Sequence, residues 1–237
     1  MLQDVLDFCN QYQNNQPIYK PLSGKTFDEL WGNFLESPIG HLPVTSFTIP
    51  AQEIINEMIA QRSTFVPHPP DDYHQGRNAF VIYGANSTYL PYNGVHNIDD
   101  SKLDISNNSW VAQDTAPFTT NYFKNIFPGY AYKHVIVMLL EPGGWIDPHT
   151  DMKESTKITN IPLNLPELSR AANTQGTIPY VVGESMIIDT SVTHAICNPS
   201  NQDRYVISVG CKYKDDARRE IVKTYLSERK RSLQASR

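Results

Sequence analysis

Cysteine is scarce in this chain: Cys9, Cys197 and Cys211 are the only three in 237 residues, and no two form a CxxC pair. That argues against a disulfide framework and against a finger-type zinc site, and it fits a reducing compartment. Basic charge is short as well, with 20 Lys and Arg against 25 Asp and Glu and a net charge of −5. A general nucleic-acid binder takes its affinity from basic side chains on phosphates, so no nucleic-acid partner is expected. No apolar run approaches the roughly 20 residues that cross a bilayer, and no membrane association is expected. Residues 1–7 carry neither the charged nor the apolar region of a secretory leader, which makes the cytoplasm the expected setting. Internal repeats and low-complexity tracts are missing too.

Turn formers are plentiful, with 17 prolines and 12 glycines beside a hydrophobic fraction of 40%. A chain of this length suits one core, so residues 1–237 are expected to form a single domain. Leu2, Val5, Leu6 and Cys9 recur at helical spacing, as do Phe27, Leu30, Trp31 and Phe34, and again Ile54, Ile55, Met58 and Ile59. Residues 1–75 therefore read as mainly helical. Short apolar runs at 78–83, 130–140, 157–164, 179–182, 185–189, 192–197 and 204–212 are separated by turn residues and read as strands. A short helix is expected at 119–127, and 86–108 is polar and loop-like with Asn93-Gly94 as a turn. Short strands with frequent turns predict a mainly β fold with flanking helices, a double-stranded β-helix or cupin-like jelly roll, with its core at 76–213. Residues 214–237 read as a C-terminal helix with acids at its start and Arg229, Lys230 and Arg231 at its end, which complements the helix dipole.

The chemistry centres on Glu141-Pro142-Gly143-Gly144-Trp145-Ile146-Asp147-Pro148-His149-Thr150-Asp151. In a strand, side chains at i and i+2 share a face, so His149 and Asp151 can reach one object. A second histidine from another strand completes the 2-His-1-carboxylate set that holds non-haem Fe(II) and leaves coordination positions open. His194 is the candidate, delivered by the turn, apolar strand and bend that run from Gly183 to Thr193. The His-x-Asp spacing alone recurs by chance at this composition, and a lone His194 equally reads as a hydrogen-bonded core residue. Arg204 opens an apolar strand where a guanidinium is costly unless an anion pairs with it. A dicarboxylate co-substrate would be such an anion, and a structural ion pair or a surface arginine is the alternative. Cys197 reads as a small buried residue. The segment 66–76, with two histidines and two aspartates, reads either as a solvated loop or as a flap or second metal site.

Taken in order, Pro142-Gly143-Gly144, His149-Thr150-Asp151, Gly183-Glu184, Asp189, His194 and Arg204 resemble the Fe(II)- and 2-oxoglutarate-dependent oxygenases. Trp110 and Ala116-Pro117-Phe118-Thr119 narrow the resemblance to the aspartyl/asparaginyl β-hydroxylase branch, over about residues 108–212. The resemblance implies that His149, Asp151 and His194 ligate iron and that Arg204 holds the distal carboxylate of 2-oxoglutarate. Asn160 stands where the animal enzymes carry a histidine near the other carboxylate. It also implies O2 as oxidant, release of succinate and CO2, and hydroxylation of an unactivated C–H bond in an amino acid, free or in a peptide. Asp151 sets the chain apart from the animal enzymes, which lack that carboxylate, and from the halogenases, which replace it. Trp145, Tyr83 and residues 66–76 are candidates for the substrate pocket. A cupin-like barrel that binds metal and ligand without oxidation stays open as the alternative.

Overall fold

A computed structural model describes residues 1–67, 73–84, 108–151 and 157–235. The alternation that begins at Tyr130 produces one strand of 21 residues, β5 in chain order (Gly129–His149), and the rest of the sheet is built on it. Before it come β1 (His41–Thr48), β2 (Val66–Pro67), β3 (His74–Gly84) and β4 (Ser109–Trp110). After it come β6 (Lys157–Pro162), β7 (Arg170–Asn173), β8 (Gly176–Thr177), β9 (Glu184–Asp189), β10 (His194–Asn198) and β11 (Arg204–Tyr213). The helices are α1 (Leu2–Tyr12), α2 (Phe27–Glu36), α3 (Ala51–Ala60), α4 (Pro117–Asn125) and α5 (Asp215–Ala235).

β5 serves two sheets. Its first half lies between β3 and β11, and the larger sheet runs β1-β9-β6-β11-β5-β3. Its last residues pair with β10, and the smaller sheet runs β5-β10-β7-β8. Every pairing is antiparallel, and from β5 onward the chain passes back and forth, with β6, β9 and β11 in the larger sheet and the β7–β8 hairpin and β10 in the smaller, which is the double-stranded β-helix. The crossover happens at Pro142-Gly143-Gly144. Gly143 has φ +73°, a conformation that favours glycine, and a Cβ on Gly144 would sit 2.8 Å from the Glu141 carbonyl oxygen. The Asn198 side chain donates to the carbonyls of Leu140, Glu141 and Gln202 at 2.9, 3.1 and 2.7 Å, so acceptors beside the bend are satisfied.

The larger sheet's outer face carries Val137, Leu139, Ile161, Ile187, Ile207 and Val209, all buried under α2, α3, α4 and α5. Helix faces follow from their spacing: α5 presents Ala217, Ile221, Val222 and Tyr225, and α2 is held by a capping box between Thr26 and Glu29. α1 covers the smaller sheet's outer face, where Val5 and Cys9 meet Trp145, Ala172, Ala195 and Cys197. Between the sheets, Ala171 from β7 joins Met186 and Ile188 from β9 in a second apolar cluster.

Several expectations need correction. Residues 179–182 form no strand; the chain turns there and the neighbouring short strands are β7 and β8. Residues 1–75 contain β1, an edge of the larger sheet, besides their helices. Of the segment expected as a loop at 66–76, Val66–Pro67 and His74 onward are paired strand, while 68–72 lie outside the described residues. The expected loop at 86–108 lies outside them too, except Asn108.

Candidate metal centre

The register of the smaller sheet brings two histidines side by side. His194 on β10 pairs directly with His149 at the end of β5, and their rings stand 4.4 Å apart at 50°. Two residues on, Ile196 pairs with Ile146, so β5 uses three residues where β10 uses two. This bulge, next to the exposed Pro148, turns His149 onto the same face as Ile146, between the two sheets. Asp151 follows just past the strand, its N–H bonded to the Thr190 carbonyl at 2.9 Å. One ligand atom from each of His149, Asp151 and His194 lies within 4.8 Å of the others.

The hydrogen bonds decide what those atoms can do. His149 Nδ1 lies 2.7 Å from the Asp147 carbonyl, and His194 Nδ1 lies 3.0 Å from that of Val192. A carbonyl only accepts, so each Nδ1 carries the proton and each Nε2 presents a lone pair. His149 Nε2 faces Asp151 Oδ1 at 3.5 Å. Three lone-pair donors thus converge with no proton between them, an arrangement that a cation relieves. Burial pulls the His194 pKa below its ordinary value, and the neighbouring His149 and Arg77 push the same way against Asp151, so its ring stays neutral near pH 7. For Asp151, burial pushes upward, yet the facing His149 ring, the positive charge that His194 and His149 gain when protonated, and a bond from Thr190 hold it below its ordinary value. The turn that delivers His194 is itself pinned: Asp189 accepts from Ser191 N–H at 3.1 Å and pairs with buried Lys157 at 3.1 Å.

Arg204 lies on the inner face of the larger sheet, 4% exposed, and its Nε and Nη2 have no hydrogen-bond partner. Its guanidinium carbon lies 5.4 Å from the Tyr180 ring, and burial lowers its pKa. Asn160 Nδ2 donates to the Tyr180 hydroxyl at 3.3 Å, while its Oδ1 is buried without a partner. Tyr180 therefore joins Arg204 to Asn160. Sequence reasoning missed it by treating residues 179–182 as one more strand. Arg77 was missed as well, although its charge at the head of the Ala79 and Val81 alternation marked it as an inward position.

Two candidates stand elsewhere. Trp145 pairs with Cys197, one step out of phase with the histidines, and is buried beneath α1 on the outer face. Tyr83 packs against Trp110 and Tyr132, at 4.9 and 5.8 Å between ring centroids. Cys197 faces away from His149 and His194.

The profile of the family described as Aspartyl/Asparaginyl beta-hydroxylase matches residues 78–213, more than half of the chain. No curated protein matches the sequence. Among solved structures, a prolyl-4-hydroxylase of Pseudomonas putida aligns at 12% identity over 80% of this chain and 100% of its own, with TM-score 0.42. The viral collagen prolyl hydroxylase of Paramecium Bursaria Chlorella virus-1, solved with 2OG, aligns at 13% identity over 72% and 94%, with TM-score 0.41. A cupin domain of Bordetella pertussis aligns at 20% identity over 33% and 80%, with TM-score 0.28.

Proposed function

The chain belongs to the aspartyl/asparaginyl β-hydroxylase family, and from that premise we propose that it is a 2-oxoglutarate-dependent hydroxylase using Fe(II) held by His149, Asp151 and His194. Its substrate is an amino acid, free or within a peptide, hydroxylated at an unactivated C–H bond. The observation that carries this reading is the convergence of three lone-pair donors whose tautomers are set by their own backbone. Two imidazoles and one carboxylate on one side of an ion suit Fe(II) and leave the other side for small ligands.

The co-substrate fits the second cluster. A buried guanidinium with two unpartnered N–H groups is costly by itself, and a carboxylate held in two parallel bonds meets both. Rotating the Asn160 amide by 180° lets Tyr180 donate to Oδ1 and turns the NH2 group toward the interior, the orientation a carboxylate would select. Iron with bound 2-oxoglutarate and O2 supplies the oxidising power, with loss of succinate and CO2. The chain's own residues orient and exclude. The carbonyls of Asp147 and Val192 aim the two rings, the Asp189–Lys157 pair holds the turn before His194, and the aliphatic cluster of Met186 and Ile188 lines the space between the sheets.

The test is anaerobic addition of Fe(II) and 2-oxoglutarate. A weak visible charge-transfer band of bidentate chelation is expected, followed on admission of air by succinate release and a +16 mass shift in the accepted substrate. An intact, metal-loaded protein without the band would favour a barrel that binds metal and ligand without oxidation.

A further inference from the structure

One rung of the larger sheet carries two arginines. Leu140 on β5 pairs with Arg204 on β11 at one side and with Arg77 on β3 at the other. Directly opposed residues in antiparallel strands point to the same face, so both guanidiniums leave from the inner face. Two strand spacings of about 4.8 Å put their Cα atoms roughly 10 Å apart. Arg77 Nε is buried without a hydrogen-bond partner, as are Nε and Nη2 of Arg204, and neither side chain makes an ion pair among the described residues. Arg62 on the protein's outside takes Glu141 at 2.8 Å and Asp203 at 2.7 Å.

Two cations on one inner face, with no carboxylate paired to either among the described residues, call for two anions. Under the reading above, which this inference rests on, the distal carboxylate of 2-oxoglutarate answers Arg204, and its other carboxylate belongs to the metal. The second guanidinium is then left over. It lies on the metal's side of the rung: three residues before it on β3, His74 pairs with Ile146, the residue that shares a face with His149.

We propose that Arg77 anchors a carboxylate of the substrate, which makes the substrate class a carboxylic acid: an amino acid with its α-carboxylate free, or a residue with an acidic side chain. The guanidinium fork fixes the acid in two parallel bonds and sets which C–H bond faces the metal. Arg77 is in this account a specificity-determining residue, distinct from the co-substrate's Arg204.

The experiment uses the full chain loaded with Fe(II) and 2-oxoglutarate under anaerobic conditions, with the visible band as readout. The twenty L-amino acids, their α-amides, and blocked tripeptides of Asp, Glu, Asn and Gln are titrated in turn. At least one carboxylate-bearing compound is expected to perturb the band, with its amide counterpart weaker by about 30-fold, the loss of one charge-assisted pair. Arg77→Gln should weaken that response about 30-fold while leaving the 2-oxoglutarate titration within about 3-fold of wild type, and Arg77→Lys should recover part of it. Arg204→Gln should do the reverse. The inference is overturned if Arg77→Gln weakens 2-oxoglutarate as Arg204→Gln does, if acid and amide act alike, or if no carboxylate compound perturbs the band. A wild-type protein that forms no band at all would instead remove the iron and 2-oxoglutarate reading, and this inference with it.

Discussion

The two faces of the larger sheet are made from the same strands and differ in kind. Outward, Val137, Leu139, Ile161 and Ile207 bury apolar area against helices, and each fully buried side chain of that size contributes about 1.5–3 kcal/mol. Inward, alternate positions on those strands hold Arg77, His134, Asn160, Arg204 and Ser208, several with buried atoms that nothing satisfies. Folding is maintained by the outer face. The inner face buries polar groups at a cost and, on the proposed reading, holds those the chemistry would use, a division that burial alone would not reveal because Arg204 and Ile207 are both nearly inaccessible.

The sharpest way to break this division is to truncate one group on each side. His194→Ala should remove at least about 10³-fold of succinate release, with thermal stability of the apoprotein changed by less than about 1 kcal/mol. Ile207→Ala should cost about 2–5 kcal/mol of unfolding free energy in urea, leaving the anaerobic band of the surviving folded protein intact. Equal stability losses in the two variants would erase the distinction. Next in size is Arg204→Met, expected to raise the 2-oxoglutarate dissociation constant about 100-fold. Because it removes an unpaired buried charge, the same variant should melt no lower than wild type without co-substrate, and a clearly lower melting temperature would show that Arg204 is structural.

A smaller effect comes from His41, buried on the inner face, where desolvation lowers its pKa from 6.5 to about 4. Between those values the unfolded chain binds a proton that the native state refuses, so stability falls as pH drops from about 6.5 to about 4. The loss should reach about 3 kcal/mol at most, read as the urea midpoint at pH 7.5 against pH 4.5, and His41→Asn should flatten it. The smallest is Thr26→Ala at the start of α2, outside both faces, worth about 1 kcal/mol in the same assay with turnover unchanged.

The sequence made the inner face easier to read than its surroundings. His149 and Asp151 were found from their i, i+2 spacing, His194 from the turn, strand and bend that deliver it, and Arg204 from a charge opening an apolar strand, and the structure brings the first three together. β1 escaped notice because Pro43 breaks the pattern and consecutive His41 and Leu42 are both buried, so no alternation appears. β7 escaped because Ala171 and Ala172 have little strand preference; small side chains are needed there, with α1 packed on one and the inner cluster on the other. Trp145 shows a different limit. At four residues from His149 a regular strand would put both on one face, and the bulge between Ile146 and His149 reverses the parity. Such a bulge depends on pairing with β10 and leaves no local mark.

Both imidazoles take their aim from a carbonyl two positions upstream on their own backbone, Asp147 for one and Val192 for the other. On the proposed reading, each ring would therefore meet an ion with its tautomer already set within a three-residue span, while the β5–β10 pairing decides which face that span presents. If the site holds a metal as proposed, substitutions around such self-aiming rings would leave the tautomer each presents unchanged, so a change of specificity would not have to sacrifice metal binding.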